Sequence, residues 1–372
     1  MDWVDVVRRW VPRRVRFALQ RWVPMGSAKR RYFERKNPLA HVTEGDVNRV
    51  GRPIRFGIVA NRGQYHRHFV AACGEIGVPF RVLDLGASDW LARIDATEVT
   101  ALLAWPDATD ITFARVLKDR LDLLEAARPN VLVVPGRRER WMYEDKARLR
   151  DWLVAHDVPH PTTWVFTERD EALAFADACE MPVVHKTVFG AAATGVRVLT
   201  QRAQVRRVVA RAFGAGLRVD GHDPRDRQRN VVLFQAYVEV EREWRLVRVG
   251  DAYFGHPKGR GESGLHSGSG RVEWDLPQAR HLDLLHRVTE LGGFRSMAVD
   301  AFETADGRLL VNELQTVFGA STSVDQMRVN GQAGRMVRTD HGVWRFEAGD
   351  FARNACANAR VLDVLARLVV PA

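Results

Sequence analysis

The chain has 372 residues, of which 46% are hydrophobic and 27% charged, with a net charge of +10. That composition is ordinary for a globular protein with room for two or three domains, and no apolar run approaches the length needed to span a bilayer. Three cysteines, Cys73, Cys179 and Cys356, form no CxxC pair, and the N-terminus lacks the apolar core of a cleaved secretory signal; both point to the reducing cytoplasm and away from a cysteine zinc site.

Charge is unevenly placed. Residues 1–36 hold eleven Lys/Arg against three Asp/Glu, a net +8, which leaves +2 for the other 336 residues. We read 1–50 as a basic N-terminal arm, with Trp3, Trp10, Phe17 and Trp22 set among arginines and Pro12 and Pro24 breaking it into short helical pieces. Basic residues with tryptophan suit the surface of an anionic membrane, so peripheral contact with the cytoplasmic membrane face is one expectation. Packing on the protein's own body, on a partner protein or in a homo-oligomer suits the same residues. No nucleic-acid-binding motif accompanies the charge, which argues against a nucleic-acid partner.

From Ile54 strands and helices alternate. Strands are predicted over Ile54–Ala60, Pro79–Leu83, Thr100–Trp105 and Val131–Pro135, with helices over Tyr65–Ile76 and Ile111–Ala127. This is the signature of a parallel α/β sheet, assigned to residues 51–135. The first strand-to-helix turn, Asn61-Arg62-Gly63-Gln64, lacks the GxGxxG dinucleotide fingerprint.

A second segment, 136–230, begins with an amphipathic helix over Asp145–His156 and a helix over Glu168–Cys179. The short strand Pro182–Lys186 ends in a lysine and is followed by the loop Phe189–Gly195 (FGAAATG). Small residues let backbone N–H groups approach phosphate oxygens, and Lys186 adds charge. Gly190 and Gly195 have the spacing of P-loop glycines, but Val196-Arg197 follows them and a strand comes next, which excludes a P-loop. A plain small-residue hairpin turn fits the loop equally. A strand over Val196–Leu199, a helix over Ala203–Phe213 and a loop over 214–230 complete the segment.

In the third segment, 231–372, strands are predicted over Val231–Glu239 and Glu243–Val249, a glycine- and serine-rich loop over Gly255–Gly270, a helix over Leu282–Leu291 and a final helix over 350–369. Between the last two lies Ser296–Gln315, SMAVDAFETADGRLLVNELQ. Asp306-Gly307 predicts a two-residue hairpin turn, so the numbers of opposed partners share the sum 613. That pairs Asp300 with Glu313 and puts Gln315 on the same face. Opposed like charges destabilise a ladder by roughly 0.2–1 kcal/mol, and a divalent cation between them reverses the sign. Oxygen-only donors suit Mg²⁺, with Mn²⁺ able to take its place. Two solvent-facing acids on an ordinary hairpin fit the same residues, and an odd-length turn would break the register.

Several chemistries are absent. HSGSG lacks the first glycine of a GxSxG elbow, no HExxH helix occurs among twelve histidines, and no kinase HRD or DFG set is present.

The order of these features over residues 54–330 resembles the ATP-grasp superfamily, in its carboxylate–amine ligase branch of glutamate ligases, glutathione synthetases and D-alanine–D-alanine ligases. The resemblance implies a parallel-sheet pre-ATP-grasp domain followed by a two-subdomain ATP-grasp fold that binds ATP and Mg²⁺. Lys146, in Tyr143-Glu144-Asp145-Lys146, and Lys186 would be phosphate lysines. Gly190, Ala191, Ala192, Ala193, Thr194 and Gly195 would form the lid over the phosphates. Gln235, Ala236, Tyr237 and Val238 would be the hinge whose backbone meets adenine, and Glu243 an acid near the ribose. Arg245 and Lys258 would face the transferred phosphoryl group and the acyl phosphate, and Asp300, Glu313 and Gln315 would hold the metal. Gln315 stands where the family has asparagine, keeping an amide on a longer arm. Ala298 stands where D-alanine–D-alanine ligases carry arginine, which disfavours that reaction.

The implied activity joins a carboxylate to an amine through an acyl phosphate, with release of ADP and phosphate. A kinase acting on a hydroxyl, or a non-catalytic nucleotide-binding module, would use the same nucleotide site.

Overall fold

The computed structural model describes residues 42–106, 111–190, 195–219, 227–259, 273, 275–317 and 327–368. The N-terminal arm up to residue 41, Ala191–Thr194 of the expected lid and most of the 255–270 loop lie outside the described residues. The described chain forms two compact units, residues 42–137 with 352–368, and residues 138–317 with 327–351.

The first unit holds β1 (Glu44–Gly45), β2 (Phe56–Val59), α1 (Arg67–Ile76), β3 (Phe80–Leu83), α2 (Trp90–Thr97), β4 (Ala101–Leu103), α3 (Ile111–Ala127) and β5 (Leu132–Val134). The sheet order is β1-β3-β2-β4-β5, parallel except for the antiparallel edge strand β1. All four residues of β2 are buried, as a parallel strand covered on both faces requires. Leu117, Leu121 and Leu124 of α3 recur at helical spacing and pack with Val59, Leu102 and Val133 into one core.

The second unit continues with α4 (Arg137–Met142), α5 (Lys146–Ala155), β6 (Thr163–Phe166), α6 (Arg169–Ala178), β7 (Val183–Lys186), β8 (Arg197–Leu199), α7 (Arg202–Ala212), β9 (Leu217–Arg218), β10 (Arg227–Gln228) and β11 (Val232–Ala236). Strands β6-β11-β7-β8 form an antiparallel sheet whose core joins Phe166, Val183 and Phe234 to Ala172 and Ala176 of α6 and Val205 and Val209 of α7. The stretch 214–230, expected as a loop, contains the short β9–β10 ladder.

A larger antiparallel sheet follows, built from β12 (Arg242–Val249), β13 (Ala252–Lys258), β14 (Ser296–Glu303), β15 (Leu309–Gln315), β16 (Arg328–Val329), β17 (Gln332–Arg338) and β18 (Trp344–Ala348), with α8 (Ala279–Gly292) between β13 and β14. Its order is β15-β14-β12-β13-β17-β16, and β18 pairs with β17. Two expectations change here. The expected loop from Gly255 starts as a strand, because Ala252–Lys258 pairs in full with Glu243–Val249. Strands β16 to β18 were not anticipated.

The last helix, α9 (Arg353–Arg367), expected in the third segment, is grouped with the first unit. It packs on α1, and Glu75 accepts hydrogen bonds from Arg353 and Asn358 at 3.2 and 2.9 Å. No helix among the described residues is long and apolar enough to cross a membrane.

The hairpin β14–β15 departs from its expected turn and still reaches the expected pairing. Thr304 N–H bonds Arg308 C=O, so three residues, Ala305 to Gly307, form the turn, with Gly307 at φ 80°. A three-residue turn shifts the ladder by one, and Ala301 pairs with Val311. A bulge between Asp300 and Ala301 then inserts Asn312 and restores the offset, so that Asp300 opposes Glu313 and Ala298 opposes Gln315.

Candidate functional site

The second unit gathers charged side chains on one face of the β15-β14-β12-β13 sheet. One transverse row runs His256, Arg245, Asp300 and Glu313. The next row pairs Glu243 with Lys258. Side-chain alternation puts Trp244 and Leu246 on the opposite face, against α8.

Asp300 is 2% exposed. Arg245 grips it with both prongs, Nε to Oδ1 and Nη2 to Oδ2, each at 2.9 Å, and Lys258 Nζ also donates to Oδ2. Burial alone would raise the Asp300 carboxyl; Arg245 and then Lys258 overcome it and hold the group well below the usual carboxylate range. Burial likewise works against the Arg245 cation, and Asp300 more than offsets it. Lys258 donates to Glu243 at 2.7 Å. Glu243, expected near a ribose, is therefore a buried partner of Lys258 beside Asp300.

Two lysines approach from the neighbouring elements. Lys186 ends β7, and its Nζ donates to Asn312 Oδ1 at 2.7 Å. Burial pushes its pKa down to about 8, with Glu313 opposing and Lys146 reinforcing that shift. Lys146 opens α5. Asp145 caps this helix by accepting from Ala147 N and Arg148 N at 3.1 and 3.0 Å. Lys146 N bonds Val188 C=O, which docks the helix start on the chain leaving β7. Its Nζ donates to Gly190 O at 2.6 Å and lies 3.7 Å from Glu313 Oε1.

At the ends of the expected lid, Gly190 and Gly195 have φ 117° and 80°. A Cβ on Gly195 would stand 2.4 Å from Thr187 Oγ1, so both the dihedral and the close approach require glycine. Gln235 and Ala236 belong to β11, where Gln235 pairs with Thr163 and Val184. Tyr237 and Val238 follow the strand's last residue, and Tyr237 is exposed. Gln315 is buried on the Glu313 face.

Sequence reasoning missed three residues of this site. Asn312 reaches Lys186 because the bulge puts two consecutive side chains on one face. Glu139 accepts Arg295 N and Ser296 N at 2.8 and 2.7 Å and so pins the start of β14. Glu144 is pushed up to about 7 by burial, against Lys146 and with the help of Glu313. Only Glu144 carried a sequence signal, its place beside Lys146.

The donor set suits a hard cation in its chemistry, two carboxylates and amides. The two expected acids differ, however. Both oxygens of Asp300 are engaged by Arg245 and Lys258, whereas Lys146 Nζ stands 3.7 Å from Glu313 Oε1. Among the described residues no three His, Cys, Asp or Glu side chains form a preassembled metal cage. The residues fit a cation that completes its shell with ligand oxygens, as Mg²⁺ does with phosphates.

No protein-family model and no curated protein matches the sequence. Solved structures do match the fold. A RimK domain ATP-grasp protein from Sphaerobacter thermophilus DSM 20745 aligns with TM-score 0.51 and 20% identity over 70% of this chain and 90% of that one. The N5-carboxyaminoimidazole ribonucleotide synthetase purK, in its ADP complex, aligns with TM-score 0.54 and 15% identity over 78% of each chain. The ATP-grasp ligase PsnB, complexed with minimal precursor, Mg and ADP, aligns with TM-score 0.51 and 15% identity over 74% of this chain and 93% of that one. The cluster of Lys146, Lys186, Arg245, Lys258, Asp300 and Glu313 is thus carried by a chain with the ATP-grasp fold.

Proposed function

We propose that this chain is an ATP-dependent carboxylate–amine ligase. The observation that carries the reading is the buried Arg245–Asp300–Lys258 cluster beside Lys186, on an ATP-grasp fold. A carboxylate resists attack by an amine because its leaving group would be oxide. Transfer of the γ-phosphoryl group to the carboxylate oxygen releases ADP and forms an acyl phosphate. The amine nitrogen then attacks the acyl carbon, phosphate leaves, and the nitrogen gives up a proton.

The protein's part is to neutralise and align charge. Lys146 and Lys186 would receive phosphate oxygens, and the ion pairs with Asp300 and Glu243 would hold Arg245 and Lys258 in position for the reacting phosphoryl group. Glu313 and the amide of Gln315 would hold Mg²⁺ or Mn²⁺, which would offset the negative charge of the phosphates. Asp300 joins them if Lys258 exchanges its partner. The backbone of 235–238 would meet the adenine. The carboxylate substrate would be a small molecule or a peptide, and the acceptor amine an amino acid, a peptide or an amino sugar.

Calorimetry of ATP binding with and without Mg²⁺ tests the nucleotide site, and ADP release across a panel of acids and amines tests turnover. Adding hydroxylamine should trap the acyl phosphate as a hydroxamate. Wild-type protein that binds no ATP or nonhydrolysable analogue would sink the reading, and turnover with no hydroxamate would favour a kinase.

A further inference from the structure

We propose that Glu144 is an additional carboxylate of the divalent-cation site, acting together with Glu313. The inference rests on the nucleotide-binding reading above and names a ligand which that reading lacks.

Glu144 and Asp145 are adjacent acids with opposite surroundings. Asp145 has two backbone N–H donors and serves as a helix cap. The Oε2 of Glu144 is buried and accepts no hydrogen bond among the described residues. An acid kept for structure is supplied with donors, and leaving one buried without them costs about 1–3 kcal/mol or more. The backbone at Glu144 is also unusual, with φ 55° in the left-handed region that non-glycine residues seldom occupy. Such a conformation persists where the surroundings impose it, and it clusters at functional positions.

The neighbours of Glu144 give the site its chemistry. Its electrostatic partners are Lys146 and Glu313. Glu313 lies 3.7 Å from Lys146, and Lys146 Nζ donates to Gly190 O. Glu144 and Glu313 thus share Lys146 as the nearby positive charge. Like charges so placed repel, and a divalent cation shared between them reverses the sign of that interaction. Mg²⁺ is ordinarily held by one or two carboxylates together with phosphate oxygens. Glu313 and Glu144 supply those two carboxylates without disturbing the Arg245–Asp300–Lys258 cluster.

The test is Mn²⁺ binding to the ADP complex, followed by the electron paramagnetic resonance of free Mn²⁺, for wild type, Glu144→Gln and Glu144→Asp. ADP affinity in EDTA is measured alongside. Glu144→Gln should weaken Mn²⁺ at least threefold with ADP affinity in EDTA unchanged, and Glu144→Asp should recover part of the loss. A loss below threefold, while wild type binds Mn²⁺·ADP, overturns the role of Glu144 and leaves the proposed function standing. If Glu144→Gln also loses ADP in EDTA, Glu144→Asp decides: selective weakening of Mn²⁺ supports the role, and its absence overturns it. Wild type that binds neither ADP nor Mn²⁺·ADP overturns both readings.

Discussion

Asp300 stands directly across the ladder from Glu313, yet the two carboxylates belong to different electrostatic neighbourhoods. Asp300 is gripped by Arg245 and Lys258, while Glu313 is the more exposed and faces Lys146. Removing Asp300 leaves Arg245 without its buried counter-charge and Lys258 with Glu243 alone, and breaking such a cluster costs about 3–5 kcal/mol. Asp300→Ala should therefore destabilise the fold strongly in chemical denaturation. Glu313→Gln should change stability by no more than about 1 kcal/mol while weakening metal-dependent nucleotide binding. Equal losses of stability would show that the two acids are not separated in this way. The same cluster sets an acid limit. Because the folded-state pKa of Asp300 lies below its ordinary 3.8, its stabilising contribution is present above that value and lost as pH falls towards the folded pKa.

Lys186 makes nucleotide affinity sensitive to alkali. Burial lowers its pKa from the ordinary 10.5 to about 8, so the free protein loses this charge as pH rises through about 8. Phosphate favours the charged form, and binding above that pH must take up a proton. ATP affinity should fall with pH above about 8, approaching tenfold per unit at the steepest. Lys186→Met should remove that slope and bind weakly throughout. The stability effect runs the other way: the buried ammonium costs stability below about 8, and the cost is relieved between 8 and 10.5, where the unfolded chain still binds the proton.

Much of this was legible because apolar periodicity marks elements well. Residues 111–127 were expected as a helix and form one, and the strands of the parallel sheet lie within one or two residues of their expected spans. The opposition of Asp300 and Glu313 was also legible, though through two offsets that cancel, a three-residue turn and a bulge. Neither offset has a signature in Asp306-Gly307. Asn312 was missed because strict alternation points it away from the face that Glu313 occupies. Lys258 was expected in a loop because its segment carries glycine and proline, whereas pairing with β12 along its whole length overrides those local preferences. The docking of α9 on α1 depends on contacts across nearly the whole chain, which periodicity does not encode.

Glu139 should prove to be a stability residue with a functional echo. Its Oε1 takes the N–H groups of Arg295 and Ser296, and Ser296 in turn exchanges hydrogen bonds with Thr316 across the far end of the hairpin. Asp300 lies four residues further along the same strand. Glu139→Ala leaves two backbone donors near the core unsatisfied, at a cost of about 1–3 kcal/mol. Glu139→Gln keeps an acceptor and should recover most of the loss in a urea melt. If the two variants are equally stable, the carboxylate does not anchor β14.

Asn312→Asp separates stability from binding at one position. Asn312 gives Lys186 a neutral acceptor, which orients the ammonium without cancelling its charge. A carboxylate there would form a buried ion pair with Lys186 and raise the lysine's pKa. It would also place a negative charge where a phosphate oxygen is expected. The variant should melt no lower than wild type in the absence of nucleotide, while ATP affinity falls at least about tenfold, a difference of about 1.4 kcal/mol. Asn312→Ala should do the reverse, costing stability because the buried ammonium loses its acceptor and affecting affinity less than the aspartate does. Unchanged ATP binding in Asn312→Asp would mean that phosphate does not approach Lys186 from the side of the bulge, and the nucleotide would have to be sought elsewhere on the sheet.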